Sequence, residues 1–158
     1  MRPIRDLLTV FGRSYQDQLA RLDDEACRYF SSVVHLAGSA RIKHPVYLKN
    51  PQYMQVGAGF SSGPGLRIEA WDSYRGTRYT PVLEVGNNVS LNFNCHIGLI
   101  ARIAIGDNAL IGSNVLITDH HHGDPRNLLP GKTFKHQPLF TPGSVEIGEN
   151  VWIGENAC

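Results

Sequence analysis

The chain has 158 residues, of which 42% are hydrophobic, so its length suits one domain with a buried core. Its formal net charge of +1 provides no basic field for binding nucleic acid. Its three cysteines, Cys27, Cys95 and Cys158, are odd in number and far apart, and they show no metal-ligand pairing.

Residues 1–35 have the pattern of a helical element. Apolar residues such as Leu22, Ala26 and Phe30 recur at helical spacing with charges between them. We expect a helix that covers the end of a solenoid, with a break at Gly12. The alternative, an amphipathic helix on a membrane surface with Arg2 on its polar side, is disfavoured by acidic residues in its second half. The chain shows no signal peptide and no run that could span a bilayer, so the expected compartment is the cytoplasm.

Residues 40–80 lead into a regular repeat that begins at Val85. In residues 40–60 the pattern of the repeat is degenerate, with Ile42 and Leu48 among the expected inward positions. Residues 63–80 break the pattern and are predicted to project as a loop. Their aromatic residues, including Trp71 and Tyr74, suit sugar stacking or contact between subunits.

From Val85 onward the sequence repeats every six residues. Each unit starts with an aliphatic residue, usually has glycine second, and usually has a small apolar residue fifth. The units are Val85–Ser90, Leu91–His96, Ile97–Arg102, Ile105–Leu110, Ile111–Leu116, Ile147–Trp152 and Ile153–Cys158. A period of six fits neither a helix nor a long strand, but it suits short strands joined by turns into a stacked, three-sided solenoid.

The repeat therefore predicts an all-β fold, a parallel β-helix over residues 36–158. The first position of each unit should point inward, and the fifth is small because the interior is narrow. Glycine at the second position indicates unusual dihedral angles or close approach of the backbone near a corner. Cys95 occupies a fifth position and is therefore expected to be an inert core thiol.

Residues 118–145 interrupt the repeat. A coil of about 18 residues would place the unit that follows Ile117 near residue 123, so about 24 residues are inserted before Ile147. A loop of this length in a compact domain is usually functional. It opens with three consecutive histidines, which suggest either general base catalysis or metal binding. Consecutive residues in extended backbone point to opposite sides, so His120, His121 and His122 are not expected to share one metal ion.

Three elements carry a resemblance to a known family: Asn92-Phe93-Asn94, Ile105-Gly106-Asp107-Asn108 and Thr118-Asp119-His120. They resemble the hexapeptide-repeat O-acetyltransferases of the galactoside and maltose acetyltransferase group. The stretch from about Pro45 onward, including Ser61–Gly65, is closer to the branch that acetylates capsular polysaccharide, colanic acid and lipopolysaccharide. The galactoside enzymes have an acidic residue where Ile100 stands, so the acceptor pocket differs from theirs in detail.

The resemblance implies a prism that winds left-handed, acetyl-CoA as co-substrate, no metal, and a homotrimer with the active site between protomers. It implies His120 as the catalytic base and Asn92 as an acceptor-binding residue. Asp119, His122 or a backbone carbonyl would set the tautomer of His120, and Asp119 and His122 are also candidates for the substrate site. Trp152 either contributes to the donor side or fills a corner, which is the favoured alternative.

The expected reaction is direct acetyl transfer to a hydroxyl of a sugar or surface polysaccharide precursor. The alternatives are a non-catalytic β-helix scaffold or disabled fragment, and a zinc enzyme similar to the γ-type carbonic anhydrases. The last coil has two sides, beginning at Ile147 and Ile153, and its third would begin at residue 159. Family members continue through further coils that hold coenzyme A, so we expect a C-terminally truncated chain with most of the donor site beyond residue 158.

Overall fold

The computed structural model describes residues 2–158, with side chains described from residue 12 onward. The chain begins with helix α1, Arg2–Val33, and continues as short strands with 3₁₀ turns at Pro51–Tyr53 and Phe134–His136. The helix is continuous through Gly12, so the predicted break is wrong. In residues 2–158 no helix combines the length and hydrophobicity needed to cross a membrane. The side chains of Arg2 and its neighbours, on which the membrane-surface alternative depends, lie outside the described part.

The strands stack into three parallel sheets that form the faces of a solenoid. Face A contains β1 (His35–Leu36), β4 (Met54–Val56), β9 (Val82–Val85), β12 (Arg102–Ile105) and β17 (Val145–Ile147). Face B contains β2 (Ala40–Ile42), β5 (Phe60–Ser62), β10 (Ser90–Leu91), β13 (Leu110–Ile111) and β18 (Trp152–Ile153). Face C contains β3 (Val46–Lys49), β6 (Leu66–Ala70), β11 (His96–Leu99) and β14 (Leu116–Thr118). This is the left-handed parallel β-helix that we predicted.

The repeat positions lie where the six-residue period places them. First-position residues are aligned from coil to coil, so that Leu91 lies opposite Ile111 and Ile97 opposite Ile117; they are buried as far as Ile117, and Ile147 and Ile153 of the last coil are partly buried. The small fifth-position residues are also buried: Val89, Cys95, Ala109 and Val115. Burial raises the pKa of the Cys95 thiol, as expected for an unreactive core cysteine.

Two corners of the solenoid are held by columns of asparagine. The unusual backbone dihedrals fall at the fourth position of the unit, where asparagines adopt left-handed φ angles such as 58° at Asn108. Asn88 Nδ2 donates to Asn108 Oδ1 at 3.3 Å, and Asn108 Nδ2 donates to Asn150 Oδ1 at 3.2 Å. The glycine at the second position instead allows the backbones of adjacent coils to approach closely, since a Cβ on Gly106 would lie 2.6 Å from the backbone nitrogen of Glu149. Asn94, Asn114 and Asn156 form the second column.

The third corner is wide, in agreement with the two residues, Ile103 and Ala104, that separate the units Ile97–Arg102 and Ile105–Leu110 in the sequence. Asn88 and Asn108 are 20 residues apart in adjacent coils, so this coil is longer than the expected 18 and the later insertion is correspondingly shorter. Ile100 and Ala101 form the turn from face C to face A, between β11 and β12. Their backbone N–H groups donate to the buried carboxylate of Asp119, at 2.9 Å and 2.8 Å, which therefore clamps the turn.

Two segments leave the solenoid. The first is shorter than the predicted loop 63–80, because Leu66–Ala70 forms a face C strand and only the hairpin of β7 (Ser73–Tyr74) and β8 (Thr77–Arg78) projects. The second follows β14 and contains β15 (His121–His122) paired antiparallel with β16 (Leu139–Phe140). We call residues 119–144 the inserted loop.

Helix α1 covers the first coil. The ring of Phe30 is fully buried and stacks on Phe60 of face B, with centroids 5.5 Å apart. Nearer the start of the helix, Asp23 accepts from Lys43 Nζ at 2.7 Å and from the backbone nitrogen of His44 at 2.8 Å. The helix therefore closes the apolar interior at this end, as the pattern of residues 1–35 predicted.

The substitution Phe30→Ala is expected to lower the free energy of unfolding by about 3–5 kcal/mol, because it leaves a cavity between α1 and the first coils. Tyr29→Ala, on the exposed side of the same turn, should cost less than about 1 kcal/mol. Urea denaturation followed by circular dichroism measures both. Equal losses for the two variants would contradict this account of the helix.

The substitution Asp119→Asn is expected to lower the free energy of unfolding by about 2 kcal/mol, because an amide N–H₂ would face one of the two donors of the turn. Asp17→Asn, an exposed change on α1, is the matched control for the loss of one charge. The same denaturation measurement applies. A wild-type unfolding free energy for Asp119→Asn would show that the clamp contributes nothing.

Candidate active site

His120 lies at the edge of face C where β14 ends. Its side chain is only 13% exposed. Its Nδ1 is 3.1 Å from Asp119 Oδ1 and 3.3 Å from Thr118 Oγ1. Since the Asp119 carboxylate is fully buried and already accepts two backbone N–H groups, it is rigidly placed to accept a third bond from His120 Nδ1–H. This tautomer leaves Nε2 as a free proton acceptor.

The other two histidines of the run have different neighbours. His121 packs against Phe140, with ring centroids 5.9 Å apart, and His122 meets the edge of Tyr74 at 5.3 Å. They alternate along β15, so the three rings do not converge. In the part of the chain that the structure describes, no three His, Cys, Asp or Glu residues are grouped to hold a metal ion.

A second histidine lies beside His120 on the outer surface of face C. His96 Nε2 is 3.1 Å from Glu69 Oε2, and the same carboxylate oxygen pairs with Arg67 Nη2 at 2.7 Å. The Glu69 side chain is 7% exposed. Burial and the charge of Arg67 lower the pKa of His96, and Glu69 opposes them only in part. The His96 ring thus lies in hydrogen-bonding contact with a carboxylate that Arg67 also holds.

Gly98 separates the two histidines. It lies in β11 with its missing side chain on the outer surface, in register with Glu69 and Thr118 of the adjacent coils. A Cβ at this position would be 3.5 Å from His120 Cε1 and 3.6 Å from His96 Nε2. A linear motif does not reveal this contact between His96, Gly98 and His120, because it depends on the register of adjacent coils.

The inserted loop is anchored by a buried amide. Gln137 is almost fully buried, and its side chain accepts from the backbone nitrogen of Leu129 and donates to the carbonyls of Leu129 and Lys132, at 2.9–3.0 Å. These three bonds satisfy the amide and give the loop a compact interior. The loop is therefore an ordered structure next to His120.

The hairpin β7–β8 contacts the inserted loop. Tyr74 Oη and Arg75 Nε both donate to the carbonyl of Lys135 at 2.9 Å, and Tyr79 Oη donates to the carbonyl of Leu139 at 3.0 Å. Tyr74 also meets Trp71 edge to face, and Lys49 Nζ lies over the Trp71 ring. The hairpin β7–β8 and the inserted loop thus form one wall beside the edge of face C at which its strands end.

Asn92 and Trp152 lie away from this edge. Asn92 is exposed in the turn that precedes β11, at the opposite edge of face C, and no hydrogen bond joins it to His120 within the described residues. Trp152 is 76% exposed in β18, beside Leu110 on the outside of face B, so the corner-filling role that we favoured is wrong. Of the predicted site residues, the structure brings Asp119 and His120 into direct contact, with His122 nearby along the chain.

Comparison with curated proteins finds similar chains. The chain is 36% identical over 127 residues to "Putative lipopolysaccharide biosynthesis O-acetyl transferase WbbJ" of Escherichia coli strain K12, a match that covers 73% of this chain and 57% of that protein. It is 37% identical over 76 residues to "Nodulation protein L" of Rhizobium meliloti strain 1021, covering 48% of this chain and 38% of that protein. The chain therefore spans about half the length of the curated relatives it matches.

No protein-family model matches the chain. No solved structure matches it either. The assignment therefore comes from three agreeing observations: the six-residue repeat, the three-faced solenoid, and the similarity to a protein named for O-acetyl transfer. The chain belongs to the hexapeptide-repeat O-acetyltransferase family.

Proposed function

We propose that the protein transfers an acetyl group from acetyl-CoA to a hydroxyl of a sugar or surface polysaccharide precursor, with His120 as general base. The observation that carries the proposal is the contact between His120 Nδ1 and the buried Asp119 carboxylate, which orients the ring and leaves Nε2 as the nitrogen available to an acceptor hydroxyl. The name of the Escherichia coli relative supports the class of reaction and of acceptor.

The reaction proceeds in a ternary complex. His120 Nε2 takes the proton of the acceptor hydroxyl while the oxygen attacks the thioester carbonyl of acetyl-CoA. The tetrahedral intermediate carries its negative charge on the former carbonyl oxygen, which backbone N–H groups stabilise. Its collapse breaks the carbon–sulfur bond, and the protonated His120 returns the proton to the departing thiolate. The Asp119 side chain, in contact with Nδ1, holds the imidazolium in place.

The acceptor is bound by residues around the His120 edge. His122 and the aromatic wall of Trp71 and Tyr74 suit stacking against a sugar ring. Asn92 binds acceptor from a neighbouring protomer, since it lies at the opposite edge of face C from His120. Trp152 contributes to binding of the donor, acetyl-CoA. Its exposure on face B supports this role.

The functional unit is a homotrimer, with each site in the cleft between two solenoids. The exposed apolar side chains of Phe93, Leu110 and Trp152 suit burial against a neighbouring subunit. We place the protein in the cytoplasm, where acetyl-CoA is available. Native mass spectrometry measures the assembly, and a monomer at micromolar concentration would contradict this part of the proposal.

Isothermal calorimetry with acetyl-CoA separates the proposal from its alternatives. Binding by the assembled protein supports the transferase, whereas no binding at millimolar ligand favours a scaffold or a disabled protein. Zinc at one equivalent per chain in elemental analysis would favour the carbonic anhydrase alternative. Acetyl-CoA consumption measured against a panel of oligosaccharides then identifies the acceptor.

His120→Ala is expected to lower turnover by about 10²-fold or more without unfolding the protein, because no other group replaces the base. His121→Ala is the matched control, since His121 is an exposed neighbour that packs on Phe140 and does not contact Asp119. Acetyl-CoA consumption with the best oligosaccharide of the panel measures both. Unchanged turnover of His120→Ala would rule out this residue as the base.

A further inference from the structure

The hairpin β7–β8 and the inserted loop enclose a groove of about 760 Å³ between them. Its positively charged or polar lining residues are exposed to solvent, and among the described residues no Asp or Glu lines it. These lining residues are Arg75, Thr77, Lys132, Thr133 and His136. We call this site the basic groove.

Cations gather around the basic groove without acidic partners. Residues 73–80 and 128–138, which form its two sides, contain four Lys or Arg residues and no Asp or Glu: Arg75, Arg78, Lys132 and Lys135. The whole chain has a formal net charge of only +1, so the rest of the molecule is net negative. Within residues 12–158 none of these four cations forms an ion pair, whereas Lys43, for example, pairs with Asp23. Clustered like charges repel one another, so an anion in the groove would be stabilised.

The arginine of the groove is held with its terminal nitrogens available. Arg75 Nε donates to the carbonyl of Lys135 at 2.9 Å, and neither Nη atom has a hydrogen bond within the described residues. The two Nη atoms can therefore donate to two oxygens of one phosphate or carboxylate group. On the other side, Gln137 Nε2 donates to the carbonyl of Lys132 at 3.0 Å and fixes the backbone that carries the second cation.

The turn of the hairpin does not explain an arginine at position 75. Arg75 and Gly76 form the two-residue turn, with φ angles of 48° and 84°. Turns of this kind favour asparagine or aspartate followed by glycine, because most other side chains are strained at positive φ. Arginine at the first position is therefore unfavourable for the turn, which indicates that its side chain has a role outside the turn.

The basic groove lies close to the proposed base. The carbonyl of Pro138, which also lines the groove, accepts from the backbone nitrogen of Gly123 at 2.8 Å, and Gly123 follows His120 by three residues. Because an extended chain covers at most about 3.6 Å per residue, the Cα atoms of Pro138 and His120 lie within about 15 Å of each other. An acceptor bound at His120 can therefore extend into the groove.

We propose that the basic groove binds a phosphate or carboxylate group of the acceptor, so that the protein acetylates an anionic saccharide. The inference rests on the proposed function and names the class of acceptor. Arg75 and Lys132 pair with the anionic oxygens, to which the hydroxyls of Thr77 and Thr133 can donate. The separation between the groove and His120 places the charged group away from the sugar carbon that carries the reacting hydroxyl.

The first test compares acceptors that differ only in charge. One pair is an oligosaccharide of alternating glucuronic acid and N-acetylglucosamine and its carboxyl-reduced form. The other pair is glucose 1-phosphate and glucose. The wild type should show a kcat/KM at least about tenfold higher for the charged member of at least one pair. Raising the salt concentration from about 50 mM to about 500 mM should reduce this preference, because exposed charges are screened.

The second test removes the charges of the groove and keeps its hairpin. The double variant Arg75→Asn/Lys132→Gln should lower kcat/KM for the charged acceptor by about tenfold or more, with the neutral acceptor and the KM for acetyl-CoA within about twofold of wild type. Asparagine suits the φ of residue 75, so thermal unfolding should show no loss of stability. Arg21→Gln/Arg28→Gln, two exposed changes on α1, is the matched control for the loss of two charges and should leave all constants unchanged.

Calorimetry with the same saccharides in the absence of acetyl-CoA measures the groove independently of turnover. The Kd of the charged saccharide should rise by about tenfold or more in the double variant and stay unchanged in the control. If His120→Ala is fully active, the proposed function fails, and this comparison of binding still decides whether the groove holds an anionic saccharide.

Three results would overturn the inference. The first is a wild type that neither binds nor acetylates the charged member of either pair better than the neutral one. The second is a double variant that raises the KM for acetyl-CoA about tenfold and leaves the charged acceptor unaffected, which would assign the groove to the phosphates of the donor. The third is a double variant that no longer sediments with phosphatidylglycerol vesicles but keeps its acceptor constants, which would assign the groove to a membrane surface.

Discussion

Register between successive coils decides which side chains can meet in this protein. Adjacent coils pair in parallel, so a residue lies directly above the one that is a full coil earlier, as Ile111 lies above Leu91. Inward columns build the apolar interior, and outward columns build the surface. Columns of asparagine hold two corners because each amide both donates and accepts along the axis of the solenoid. Every functional contact described above is a contact between coils or a contact with a segment that interrupts them.

The fold was predictable because burial and the six-residue period are expressed directly in the sequence. Ile97 and Ile105 are aliphatic because they point into a narrow interior, and Cys95 is small because three faces share that interior. The break in the period at Ile103-Ala104 indicated a longer coil, but the sequence did not show what stabilises its wide corner. Ile100 and Ala101 in this corner are stabilised by a carboxylate almost a full coil later in the chain, and a local pattern does not reveal that partner.

The candidate site was predictable only where a short motif carries it. The run Thr118-Asp119-His120 contains the residue that we propose as the base, and Asp119 was included among the residues that could orient it. The pair of His96 and Glu69 has no such motif, because 27 residues separate its members and only the parallel pairing of β6 and β11 brings them together. The contact between the two projecting segments has the same origin, since Tyr74 reaches a carbonyl about 60 residues later. The favoured position of Trp152, filling a corner, was wrong, because an aromatic residue in a repeat unit can point into the solenoid or out to solvent.

The Asp119 carboxylate has an architectural task and, in the proposed reaction, a chemical one at the same atoms. It closes the wide turn by accepting from Ile100 and Ala101, and it faces the imidazole of His120. Selection on this family member cannot adjust the two tasks independently. A chain of this fold without the proposed activity would still need the carboxylate to close the turn, so an aspartate at this position is by itself weak evidence of catalysis. The imidazole of His120 has no comparable role in holding the turn. Its presence or loss is therefore the better indicator of whether the proposed activity is retained.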